Sequence, residues 1–240
     1  MAEVGSGLSK ATELLLEVRF GEGGDDSKQF VRELFAAYAL YAKRNNLAVE
    51  IVSSDDSHIS ATVTGAGAGK AFKYESGKHC VQRVPENDRK GRKQTSMVAV
   101  AVLPVKMDTP MPQLRDCDIQ TETCGGHGPG GQHQNATDSA VRMRHVPTGI
   151  VVFINGRDQQ YNKLTARRVL TARVYDKLKS ESDAEYAALR KEQLGDTGRG
   201  DKVRTYNFMK SQATDHRFNV KTSNIKLLMK GQFELLFPKS

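Results

Sequence analysis

Residues 128–139 read Gly-Pro-Gly-Gly-Gln-His-Gln-Asn-Ala-Thr-Asp-Ser, and at their centre lie Gly130, Gly131 and Gln132, with no carboxylate or cysteine directly beside them. A glutamine side chain is neutral at every working pH, so Gln132 cannot act as a conventional general base. What such a tip can contribute is geometric. Two adjacent glycines reach backbone conformations closed to other residues, and without Cβ atoms they let another molecule approach the main chain closely.

Two other chemistries compete locally. Cys117, Cys124, His127 and His133 cluster in sequence, yet their separations do not match the paired spacing of structural zinc sites, and neither a metal nor a cofactor is expected. Gly65-Ala66-Gly67-Ala68-Gly69-Lys70 invites a phosphate-loop reading. Thr64 and Lys70 stand where the dinucleotide and P-loop patterns need glycines, so the segment reads as a turn.

Several elements must position the tip. Strands are expected near Ile119 to Thr123, Ala140 to Val146 and Ile150 to Asn155, with Pro147-Thr148-Gly149 as a hairpin turn and the tip leaving from the first hairpin. A helix follows from about Asp158 to Lys179, and the charged stretch from Ser180 to Asp201 reads as that helix fading into a link. Before this unit, Leu14 to Phe20 is strand-like and Gly21, Gly23 and Gly24 break it ahead of a helix starting near Asp25. Phe30, Leu34, Phe35, Tyr38 and Tyr41 recur at the helical period, and that aromatic stripe reads as core. Leu47 to Ser53, His58 to Thr64 and Met97 to Leu103 read as strands packed on this helix. After the link, Arg204 to Phe208, Arg217 to Val220 and a last helix from about Asn224 to Leu235 complete an α+β chain.

The chain has 240 residues, a net charge of +8 and 38% hydrophobic residues, enough for real cores and suited to a polyanionic partner. Between Val141 and Lys179 nine basic residues face two acids, Asp158 and Asp176. Of the nine, Arg142, Arg144, Arg157, Lys163, Arg167, Arg168 and Arg173 are the expected RNA-facing set. Three cysteines without regular spacing point to a reducing compartment, and the absence of an apolar run of membrane length or a signal peptide makes the cytoplasm the expected location.

Four motifs in register carry a resemblance: Glu17-Val18-Arg19 through Asp26, Glu75 through Pro85, the run from Gly128 on through Val152, and Arg204 to Phe208 with Thr214 to Arg217. Together they resemble the class I peptide chain release factors, over about residues 13 to 235. The resemblance implies a codon-reading α/β sandwich-like domain at 13–112 after a lead-in at 1–12. An inserted peptidyl-tRNA hydrolysis domain follows at 113–195, and a C-terminal segment at 196–240 packs back on the codon reader. It implies catalysis at Gly130, Gly131 and Gln132. There the backbone N–H of Gln132 stabilises developing charge, and its side chain helps exclude nucleophiles other than water. Hydrolysis is then promoted together with the ribosome rather than by a free-standing enzyme. Gln132 is also the residue a glutamine methyltransferase would modify. Ribosomal RNA, the mRNA stop codon, peptidyl-tRNA and a recycling GTPase are the implied partners of a monomeric protein.

Codon recognition by resemblance falls on Gly23, Gly24, Asp26, Pro85, Glu86, Asn87, Gln94 and Thr95. The framework at Val84-Pro85 and Tyr38 to Ala42 is closer to the factor that reads UAA and UAG. Three departures stand out. Pro85-Glu86-Asn87 replaces the family's Pro-x-Thr, Gln94 stands where a histidine stacks on codon bases, and Gly125, Gly126 and His127 replace arginine and small residues ahead of the tip. The chain also has no room for the family's extra N-terminal helical domain. Three functions follow as expectations: stop-codon-dependent release, a rescue hydrolase with relaxed or absent codon dependence, and a non-catalytic ribosome-binding competitor.

Overall fold

The computed structural model describes residues 11–85, 91–106, 109–125, 138–194 and 202–238. Glu86, Asn87, Gly130, Gly131 and Gln132 therefore lie outside the described residues, as do His127 and His133. The chain divides into two compact units, one of Met1–Lys106 with Ala187–Ser240 and one of Met107–Tyr186.

The first unit is an eight-stranded sheet, ordered β11-β10-β9-β4-β5-β1-β3-β2. Its N-terminal strands are β1 (Glu13–Phe20), β2 (Ala48–Ser54), β3 (His58–Thr64), β4 (Gly77–Arg83) and β5 (Gln94–Pro104). Its C-terminal strands are β9 (Lys202–Asn207), β10 (Gln212–Asp215) and β11 (Val220–Thr222). Leu14, Leu16 and Val18 of β1 alternate inward as a half-buried strand requires. In β5 every residue from Ser96 to Leu103 is buried, so both faces of that strand are covered. All neighbours pair antiparallel except β4 and β9, which run parallel with His79 opposite Arg204.

The helix α1 (Gly24–Arg44) lies on this sheet. Asp25 and Asp26 in its first turn and Lys43 and Arg44 in its last complement the helix dipole. Phe30, Leu34, Phe35, Tyr38 and Tyr41 are all buried, so the aromatic stripe is core. Tyr38 meets Phe233 at 4.8 Å between ring centroids and Phe30 meets Tyr206 at 5.3 Å, which joins the N-terminal helix to the C-terminal segment.

Beneath these rings lies a fully buried Arg204, which donates to Glu75, to Asp215 at 2.8 Å and to the Tyr74 carbonyl. Burial pushes the Asp215 carboxyl upward, but hydrogen bonds from Arg217 and Arg204 outweigh it and hold the group below its ordinary value.

The second unit is a three-stranded antiparallel sheet of β6 (Ile119–Cys124), β7 (Ala140–His145) and β8 (Val151–Ile154). One face packs through Val141, Met143 and Val152 on Ala166 and Leu170 of α3 (Gln159–Leu194). Pro147-Thr148-Gly149 forms the turn between β7 and β8, with Gly149 at φ +70°.

Four expectations need correction. α3 does not fade after Lys179 but continues to Leu194. Its later turns are rich in alanine, leucine, glutamate, lysine and arginine, all good helix formers. They are also fastened: Arg190 donates to Glu17 at 2.8 Å and Gln193 accepts the Val102 amide at 2.7 Å. The last helix is not continuous from Asn224 to Leu235. It is α4 (Ile225–Leu228) followed by a tight turn of helix at Phe233–Leu236. Between them Gly231, at φ +83°, crosses α1 so closely that a Cβ would sit 2.6 Å from the Tyr41 nitrogen.

The segment expected as a turn from Gly65 to Lys70 is a turn only over Gly65 to Gly67; once Gly67 has supplied a left-handed residue, Ala68 to Lys70 already belong to a short helix, α2 (Ala68–Phe72). Residues 216–219 form the turn between β10 and β11, not an extended segment, and Asn219 sits at φ +52° there.

Candidate functional site

The glycines after β1 bring the start of α1 against the start of β5. Gly23 has φ +128°, and a Cβ on it would lie 2.4 Å from both Cβ and Oγ of Ser96. Only glycine fits that approach. Ser27 Oγ donates to the Met97 carbonyl at 2.5 Å, and the Met97 amide donates to the Glu22 carbonyl at 2.6 Å. Backbone and side chain therefore both stitch the turn to β5.

Beside this junction opens a recess of about 260 Å³ lined by Gly23, Asp25, Asp26, Gln29, Pro85, Arg92 and Gln94. Four of the sequence-expected residues, Gly23, Asp26, Pro85 and Gln94, meet here from three separate stretches of chain. Gly24 is the first residue of α1, at φ +61°, with open space where a Cβ would point. Thr95 lies one residue into β5, paired with Gln82, and does not line the recess.

Asp26 reaches the recess in an unexpected way. Its side chain is only 2% exposed, and its two oxygens accept from Arg83 Nε and Ser96 Oγ, each at 2.6 Å. The carboxylate is an internal anchor for the helix start. Asp25, whose side chain is 92% exposed, is the acid that remains in solvent.

Arg83 extends the cluster. Its Nη1 donates to Glu33 at 2.6 Å, and its guanidinium lies 5.8 Å from the Phe30 ring centre and 5.7 Å from that of Phe208. Burial works against its charge, but the bonds to Asp26 and Glu33 more than offset that and hold it above the ordinary guanidinium value.

Sequence reasoning missed Gln29, Arg83 and Arg92. Gln29 could have been found, since it stands one turn beyond Asp26 on the same helical face. Nothing local marks Arg83 as a partner of Asp26.

In the second unit, Arg142 and Arg144 alternate outward along β7, on the face opposite α3. Arg157 and Arg168 are exposed and Lys163 is half-buried. Two members of the expected RNA-facing set are engaged by their own unit. Arg167 pairs with Asp116 at 2.6 Å, and Arg173 donates to the Val151 carbonyl at 3.2 Å.

The stem from which residues 126–137 depart is held by the first turn of α3. Asp158 caps that helix, accepting from the amides of Gln160 and Tyr161 at 2.8 and 3.1 Å. Gln159 donates to the Asp138 carbonyl at 2.7 Å. Asn162, 2% exposed, donates to the carbonyls of Ser139 and Gly156.

Among the described residues, no group of three or more His, Cys, Asp or Glu side chains is arranged to hold a metal, and no helix is long and apolar enough to cross a membrane. Two larger recesses, of about 470 and 620 Å³, contain none of the sequence-expected site residues.

The PCRF domain matches residues 6–100 and the RF-1 domain residues 108–217. Peptide chain release factor 1 of Nitrosomonas eutropha is 43% identical over 230 residues, which cover 93% of this chain and 64% of that protein. The chain belongs to the class I peptide chain release factors. A second such relative, peptide chain release factor 1 of Rhizobium rhizogenes, is 40% identical over 226 residues and is covered to 63% of its length. This release-factor chain thus spans just under two thirds of these relatives. Among solved structures it is similar to RF2 of Thermus thermophilus, with a TM-score of 0.55, 28% identity, and coverage of 95% of this chain and 68% of that one. The shared α+β fold of the family is therefore present here.

Proposed function

We propose that this chain binds the ribosomal A site at a stop codon and promotes hydrolysis of the peptidyl-tRNA ester. The observation that carries the reading is the convergence of Gly23, Asp26, Pro85 and Gln94 on one recess in a chain of the release-factor family. In this reading the first unit faces the mRNA through that recess. Asp25, Gln29, Arg92 and Gln94 offer it polar side chains, and Gly24, with open space where a Cβ would point, leaves the helix tip bare for close approach.

The second unit delivers the tip. Water adds to the ester carbonyl carbon, the bond to the tRNA ribose oxygen breaks, and that oxygen leaves with a proton. The Gln132 backbone N–H donates to the oxygen on which negative charge grows. One such donor in a water-poor site contributes about 3 kcal/mol of differential stabilisation. Gly130 and Gly131 keep the approach to RNA free of Cβ atoms. Exposed Arg142, Arg144, Arg157 and Arg168 attract the phosphate backbone of ribosomal RNA. Methylation of Gln132 and release by a recycling GTPase, in the cytoplasm, complete the family's scheme.

One observation favours a second reading, rescue of stalled ribosomes with relaxed codon dependence. Gln94 lines the recess, and by resemblance it takes the position of the family's stacking imidazole; an amide stacks less well on a base. The deciding experiment loads ribosomes with labelled peptidyl-tRNA over UAA, UAG, UGA, a sense codon or an empty A site, and measures peptide released by the full chain. Release confined to stop codons supports termination. Release without a stop codon selects rescue, and none in any arm overturns both.

A further inference from the structure

Arg83 does not line the recess, yet it ties together the elements that shape it. Its Nε holds Asp26 and its Nη1 holds Glu33, both at 2.6 Å. These carboxylates stand seven residues apart, two helical turns, and so lie on one face of α1. Glu33 passes the tie to a lining residue, accepting from Gln29 Nε2 at 2.9 Å. The guanidinium plane contacts Phe30 on α1 and Phe208 just beyond β9. Phe208 is itself fixed, since its amide donates to the Gln82 carbonyl at 3.0 Å and Asn207 donates to the Gln82 side chain at 3.0 Å.

We propose that Arg83 is a positioning residue for codon discrimination, setting the first turns of α1 against the closing segment so that Gly23, Asp25 and Gln29 present a fixed wall to the ligand. The inference rests on the recess being the codon-facing site. An arginine is required because one planar fork serves two carboxylates and two ring faces at once, whereas a lysine ammonium is a single point charge on a flexible stem. Asp26 and Ser96 complete the device from the other side, since the Ser96 hydroxyl takes the carboxylate oxygen that Arg83 leaves free.

The test measures peptide release by the full chain across a range of concentrations, on ribosomes carrying peptidyl-tRNA over a stop or a sense codon. In Arg83→Lys the concentration giving half-maximal release at the stop codon rises about tenfold, the scale of one lost hydrogen bond between charged groups. The maximal rate stays within about twofold, because uniform binding is lost and not a transition-state contact. The preference for stop over sense codons falls in parallel. Glu33→Gln, at a half-exposed position, moves the same quantities by a smaller factor, and it decides the matter should Arg83→Lys fail to fold. Unchanged half-saturation in the folded variants, or a loss confined to the maximal rate, overturns the proposal. Failure of the unaltered chain to prefer stop codons overturns instead the reading of the recess on which it rests.

Discussion

The side-chain amide of Asn162 lies 2.9 Å from the carbonyl of Ser139, so the first turn of α3 grips the chain just before β7 begins. The same amide reaches Gly156 O, and a Cβ on Gly156 would stand 2.4 Å from Asn162 Oδ1. This buried side chain therefore sets the base of the stem that leads to the tip. Asn162→Ala leaves two carbonyls without their donor and costs about 1–3 kcal/mol in the second unit. The expected result is a slower maximal rate of peptide release, by about tenfold, with stop-codon binding retained. Equal release rates for variant and parent would show that the stem needs no such clamp.

The tip itself gives a sharper test. Gly131→Ala is expected to bind stop-codon ribosomes normally and to release peptide about a hundredfold more slowly or worse, the scale of a misplaced transition-state donor. Single-turnover release on saturated ribosomes, with binding measured alongside, separates the two effects. Near-normal release would refute the role assigned to the tip.

At the other site, Gly23→Ala forces a side chain into φ +128° and into Ser96. The strain costs about 1–3 kcal/mol and pushes the start of α1 away from β5. Weaker stop-codon binding and a lower melting temperature are expected together. Gly24→Ala, which meets open space at φ +61°, should cost less. A larger effect at Gly24 than at Gly23 would contradict the packing described.

His79 provides a pH dependence. Burial first, and then the Arg204 guanidinium, pull its imidazole down to about 3. Its Nε2–H donates to the Glu75 carbonyl at 3.0 Å, and the Tyr206 hydroxyl donates to Nδ1 at 3.1 Å, so the neutral ring is the one that fits. The unfolded chain protonates this histidine below about pH 6.5 while the folded chain does not. Stability is therefore full above that pH and is lost as pH falls toward 3. The slope is about 1.4 kcal/mol per pH unit, or about 4 °C in melting temperature. Asp215, held below its ordinary value, adds loss in the same direction at the acid end. Melting curves across this range check the slope, which His79→Gln should flatten.

Much of this was legible because it is local. The strand-glycine-helix order from Leu14 to Arg44, the buried aromatic stripe and the hairpin at Pro147 to Gly149 each follow from a few neighbouring residues. The recess was legible only through family resemblance, since Gly23, Pro85 and Gln94 carry no mark that they meet. The Arg83 cluster was not legible at all. Its partners Asp26 and Phe208 lie 57 and 125 positions away, and any arginine at the end of a strand looks alike in sequence. Gly231 broke the last expected helix for a similar reason: the backbone of Tyr41, far away in the chain, takes the space its side chain would need. Conversely, the charged composition of residues 180–194 suggested fraying. Its fastening depends on Glu17 and Val102, which no local pattern reveals.

The parallel pairing of β4 with β9 has a consequence for biosynthesis. Residues 107–186 form a continuous stretch and can collapse as soon as they leave the exit tunnel. The larger sheet, by contrast, must wait with the outer edge of β4 (Gly77–Arg83) unpaired until β9 (Lys202–Asn207), which follows the whole of the second unit, has been made. During that interval the nascent polypeptide exposes a strand edge and the apolar side chains that Phe233 and Leu236 later cover, the condition under which chaperones are recruited.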